Sequence, residues 1–214
     1  MTTPSLPPVS SLPTADEETI KSALDTLFEP SPEIHAIAVP AIQGKRRIPA
    51  NPGLTADLPP AVPSTTTIPD DIPFTSYDSL IQHIGTLLHQ LTISSSSPSS
   101  PPAAREKLHS ILGSHPRLGA KKVDSAQSRA EQAQLNAGGA SDEAERLAAL
   151  NREYEARFPG LRYVVFVNGR SRDVVMEDMR RRIDRGDIRA EEREGVQAMI
   201  DIALDRAGKL SSTA

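Results

Sequence analysis

His115 stands in the stretch SHPRLGAKK, directly before Pro116 and near Arg117, Lys121 and Lys122. An imidazole titrates close to neutrality, so it can give or take a proton at working pH if an acidic or basic partner stands beside it. A local alternative is that Pro116 opens a helix at its first position and His115 merely sits next to it. Candidate partners lie in SRAEQ, where Ser128, Glu131 and Gln132 at i, i+3 and i+4 share one helical face. The same spacing fits a capping box, Ser128 as N-cap and Glu131 at N3, which leaves Gln132 without a part. Arg206 follows Met199, Ile202 and Ala203 on one face of the last helical stretch. There it could complement the helix C-terminal dipole or lay its stem along the surface. As a planar five-donor group it could instead clamp an anion or a carbonyl. His35, His83, His89 and His109 have no comparable context and read as packing or surface residues.

Helices must hold these groups. All prolines except Pro116 and Pro159 fall at or before Pro102, so early helices have to fit between breakers. Ala15 to Phe28 puts Ile20, Leu24, Leu27 and Phe28 on one face and stops at PSP. Ser76 to Leu91 carries a similar stripe, with Ser76 as N-cap and Gly85 as a weak point. Residues 40–70 are Pro-rich and read as an insert, and 93–102 as a Ser/Pro-rich loop. From Asp124 onward the pattern is nearly all helical. Leu147, Leu150, Tyr154 and Phe158 mark one core face, and Val196, Met199, Ile200 and Ala203 another. LRYVVFV, residues 161–167, has strand propensity but no partner strand, so the fold class is all-α. The division is a disordered tail at 1–14, one helical domain at 15–210 and a short tail at 211–214.

Composition narrows the function classes. A chain of 214 residues with 37% hydrophobic content supports one core. The absence of Cys removes thiolate catalysis and cysteine metal sites, and scattered histidines give no evident metal site. A net charge of −4 argues against a nucleic-acid partner. In MRRRIDRGDIR the basic residues alternate with acids, which reads as a solvated face. No apolar run approaches the roughly 20 residues of a membrane span, and no secretory signal is visible.

Seven stretches taken in order form a pattern: LFEPSPEI from Leu27, PFTSYDSL from Pro73, HPRLG from His115, SRAEQ from Ser128, LNREYEARF from Leu150, YVVFVNGRS from Tyr163 and IALDRA around Arg206. In this the chain resembles the 2-oxo-4-hydroxy-4-carboxy-5-ureidoimidazoline (OHCU) decarboxylases over most of Asp16 to Leu210. The resemblance implies an all-α single-domain bundle that completes the conversion of urate to (S)-allantoin without a cofactor. It implies His115 and Glu131 as catalytic residues. Pro116, Ser128, Gln132, Tyr163, Val164, Val165, Phe166, Val167 and Arg206 would bind the substrate, with Arg206 as the guanidinium contact. A small-molecule substrate and a homodimer follow from it too, as does a peroxisomal or cytoplasmic location, although the chain ends SSTA rather than in a Ser-Lys-Leu signal. The competing reading is a helical interaction module that kept the fold without the chemistry.

Overall fold

The structure, a computed structural model, describes residues 5–44, 74–96, 102–120, 125–136 and 141–211. Among these residues lie eight α-helices and a short 3₁₀ helix, with no strand: α1 (Glu17–Phe28), α2 (Pro32–Ile42), α3 (Tyr77–Ser96), α4 (Pro102–Gly113), α5 (Ala126–Asn136), α6 (Ser141–Arg157), α7 (Arg172–Arg185) and α8 (Ile188–Ser211).

The two early helices form where the apolar spacing places them. Asp16 caps α1 by accepting from the Thr19 N–H at 2.8 Å, and the Ser76 hydroxyl accepts from Ser79 N–H at 3.1 Å ahead of α3. PSP ends α1 but also opens α2: Ser31 is its N-cap and Pro32 sits in the first turn, where its missing N–H is harmless. α2 runs through Pro40 to Ile42, buries Ile34, Ile37 and Ala38, and so takes in the start of the expected 40–70 insert. Residues 45–70 of that insert lie outside the described residues. Likewise α3 continues to Ser96 and α4 starts at Pro102, so only 97–101 of the expected 93–102 loop remains outside. The N-terminal tail also needs correction. Val9–Thr14 is a 3₁₀ helix whose Leu12 is fully buried, and Pro7 O accepts from the Tyr77 hydroxyl at 2.6 Å.

α8 is the central element, packed against α1, α3 and α4 with Val196, Met199, Ile200 and Ala203 in the core. Gly85, a weak point by helix propensity, lies where α3 crosses α8: a Cβ there would stand 2.6 Å from Ile200 Cδ1. The far side of the bundle is made by α6 on α7, with Leu147, Tyr154 and Phe158 turned inward. Residues 161–167 form no strand and cross from α6 to α7 as irregular backbone. No helix among the described residues is long and apolar enough to cross a membrane.

Candidate active site

Pro116 opens no helix. His115 and Pro116 lie in the loop that follows α4, whose shape is imposed by side chains reaching its carbonyls. Arg162 Nη1 donates to His115 O at 3.2 Å, Gln132 Nε2 to Arg117 O at 3.2 Å and Asn151 Nδ2 to Leu118 O at 3.0 Å. Three side chains thereby pin a segment that has no secondary structure of its own; the Arg117 carbonyl also accepts from Ala120 N–H at 3.0 Å, whereas those of His115 and Leu118 are met by these side-chain donors.

The capping box also fails. Ser125, not Ser128, caps α5, its hydroxyl accepting from Ser128 N–H at 3.0 Å. Ser128 is one turn inside the helix, and its buried hydroxyl donates to Glu29 Oε1 at 2.6 Å. Glu131 is gripped by Arg206, Nε to Oε1 at 2.7 Å and Nη2 to Oε2 at 2.9 Å. Arg206 is only 2% exposed, which rules out a head in water. Its remaining donors go to Glu29 Oε1 (2.7 Å), Ser128 Oγ (3.0 Å) and the carbonyls of Thr26 and Leu27 at the end of α1. Burial works against the charge, but pairing with Glu131 and Glu29 outweighs it and holds the guanidinium above its usual pKa.

Glu29 had no role in the sequence reading, although it stands in one of the motifs. It is 3% exposed and adopts φ 71°, a left-handed backbone that costs a non-glycine residue on the order of 1 kcal/mol. That strained position at the end of α1 delivers its carboxylate to Ser125, Ser128 and Arg206 together. Glu-Pro after a helix signals a stop; nothing in it signals a buried carboxylate.

A cavity of about 250 Å3 lies in front of this cluster. His115 and Pro116 line it from the loop, Ser128, Glu131 and Gln132 from α5, and Tyr163, Val164, Val165, Phe166 and Val167 from the α6–α7 crossing. The crossing continues the wall through Asn168 and Gly169, and α8 adds Ile202, Asp205 and Lys209, the last two paired at 2.5 Å. Arg206 is not among the lining residues; it stands behind Glu131 with its donors occupied. Two buried polar atoms of the lining have no partner among the described residues, His115 Nε2 and Gln132 Oε1. Orphans of this kind cost roughly 1–3 kcal/mol each unless a ligand satisfies them. Burial, and then the positive charge of Arg206, push the His115 pKa down to about 3 against a smaller opposing pull from Glu131, so the imidazole is neutral in the ligand-free site. Three of the other four histidines have structural partners, His35 in Asp25 at 2.6 Å, His109 in Glu192 at 2.8 Å and His83 in the ring of Phe74. Among the described residues no group of three or more His, Asp or Glu is placed to hold a metal ion.

The family model of the OHCU decarboxylases matches residues 13–208, nearly the whole chain. The chain belongs to the OHCU decarboxylase family. It is thus one of a family of carboxy-lyases that act in purine catabolism, and the non-catalytic interaction module gives way to an enzyme. No curated protein and no solved structure matches this chain. Six of the seven OHCU decarboxylase motifs converge in space: HPRLG and SRAEQ meet across the cavity, YVVFVNGRS walls it, and LFEPSPEI, LNREYEARF and IALDRA hold Glu29, Asn151 and Arg206 behind it.

Proposed function

We propose that this enzyme decarboxylates OHCU to (S)-allantoin without a cofactor, with His115 moving the proton and Glu131 orienting the reacting groups. The observation that carries the reading is the buried, unpartnered Nε2 of His115 facing the same cavity as the unpartnered Oε1 of Gln132 and the Arg206-anchored carboxylate of Glu131. A cavity of about 250 Å3 suits a compact ring with one polar arm.

The chemistry asks for little more. As the bond from the ring carbon to the carboxylate breaks, its electron pair forms a double bond to the neighbouring ureido-bearing carbon, and the C=N pair moves onto the ring nitrogen. The substrate carries its own electron sink. The ring nitrogen takes a proton, the ureido-bearing carbon takes another on one face, and the hydroxyl loses one as it becomes a carbonyl. One proton is consumed overall. His115 is neutral beforehand, and a substrate carboxylate beside it favours its protonated form, so that binding brings in the proton that the reaction uses. Glu131, locked by Arg206, keeps a fixed carboxylate toward the substrate hydroxyl or ureido N–H. A homodimer is the expected assembly, and sedimentation equilibrium tests it.

Freshly prepared OHCU, followed by ultraviolet absorbance and circular dichroism, tests the reading. The wild-type enzyme should hasten its decay and give one enantiomer of allantoin. His115→Asn should lose on the order of 100- to 10,000-fold in rate with its helical spectrum intact. A folded His115→Asn variant with near wild-type turnover would falsify the role of His115.

A further inference from the structure

The cavity wall treats its backbone donors and acceptors differently. The N–H groups of Tyr163 to Gly169 have no acceptor among the described residues, although all of these residues line the cavity. Three of the carbonyls are taken. Arg170 donates to the carbonyls of Phe166 and Val167, and Arg182 Nη1 donates to Val164 O at 3.2 Å. Neither arginine lines the cavity.

Arg170 is exposed, whereas Arg182 is 3% exposed and locked. Its Nε donates to Glu191 Oε2 at 2.8 Å, and the same oxygen accepts from the Tyr154 hydroxyl at 2.7 Å. The guanidinium lies over the Tyr163 ring, 4.8 Å from the centroid, and that tyrosine donates to Asp178 Oδ2 at 2.5 Å. A rigid fork of donors serves a carboxylate along one edge and a carbonyl along another, which a single ammonium cannot do. Arg182 thus ties the wall to α7 and α8. Inside the cavity the one cationic side chain among the described lining residues, Lys209, is paired with Asp205, and the donors of Arg206 are occupied. Substrate oxygens must therefore be met largely by uncharged donors.

We propose that Arg182 is a positioning residue: by holding the Val164 carbonyl behind the wall, it leaves the N–H groups of Tyr163 to Gly169 to the oxygens of a substrate bearing a carboxylate and carbonyls. The assignment deepens the decarboxylase reading and rests on it for the identity of the substrate. Arg182→Lys keeps a positive charge beside Glu191 but has no second arm for Val164. In 15N-labelled protein the amide resonances of 163–169 should move. With OHCU, KM should rise about tenfold while kcat stays within about threefold, because donors that hold substrate and transition state alike act on KM. Arg185→Gln removes a different partner of Glu191, 2.5 Å from its Oε1, and has no hydrogen bond to the wall, so it should keep wild-type KM and wall resonances. If Arg182→Lys does not fold, Glu191→Gln, which loosens Arg182 without removing it, should reproduce both effects at smaller size. Unmoved resonances and wild-type KM in whichever variant folds overturn the proposal. So does an equal rise of KM in Arg185→Gln, which would make the network merely structural. If the wild-type enzyme does not turn over OHCU, the decarboxylase reading falls instead. The positioning role is then decided by whether Arg182→Lys, and not Arg185→Gln, moves the 163–169 resonances.

Discussion

Glu131 is where a single atom's change separates structure from chemistry. It takes no part in capping α5, since Ser125 does that, so its carboxylate is left to Arg206 and the cavity. Glu131→Gln keeps size and most hydrogen bonds while removing the charge, and Arg206 retains Glu29 as counter-ion. The expected loss is on the order of 100-fold in rate, about 2.7 kcal/mol of barrier, with a stability change of about 1 kcal/mol or less. Initial rate and thermal midpoint measured on one preparation decide the matter. A normal rate with a lowered midpoint would return Glu131 to a structural role.

The junction of α1 with α5 sets two opposing effects against each other at Glu29. Glu29→Gly would relieve the left-handed backbone, recovering about 1 kcal/mol. It would also remove the carboxylate that three donors share, and breaking a buried ionic cluster by removing one partner costs roughly 3–5 kcal/mol. The variant should therefore be less stable by roughly 2 kcal/mol or more, read as a lowered midpoint in thermal unfolding; a more stable Glu29→Gly would show that strain outweighs the cluster. Ser125→Ala deletes the α5 cap and one Glu29 contact and should cost about 1–2 kcal/mol. Because α5 carries Ser128, Glu131 and Gln132, both changes should also slow turnover.

For the whole molecule the buried neutral His115 makes folding depend on pH. Its folded pKa is depressed to about 3, whereas the unfolded chain titrates near the ordinary histidine value of about 6.5. Between these values the unfolded state binds one more proton than the folded state, so stability rises with pH. The contribution is complete above about 6.5 and is lost progressively as pH falls toward 3. From pH 7 down to pH 4 the urea unfolding midpoint of the wild type should fall more steeply than that of His115→Asn. Parallel curves would mean that the folded imidazole protonates as readily as an exposed one.

The helical class and the faces of α1, α3, α6 and α8 follow from periodicity, because amphipathic spacing is a local property that every turn repeats, whereas the motifs around His115, Glu131 and Arg206 gain their meaning from the resemblance to the family. The misread segments have local signals that are ambiguous: Ser-Pro stops one helix and starts the next, and Leu12 looks like tail until Tyr77 reaches the backbone at Pro7. What only the tertiary structure decided is the division of labour among charges. Glu29, distant in sequence from Arg206, becomes its neighbour through the packing of α1 on α8, which turns a candidate substrate clamp into the anchor of Glu131. Asn151 and Arg182 act on carbonyls of segments that no local pattern links to them. Burial, and with it the neutrality of His115, is likewise a sum over every element packed around the ring, so the residue's identity was legible in the chain while its protonation state was not.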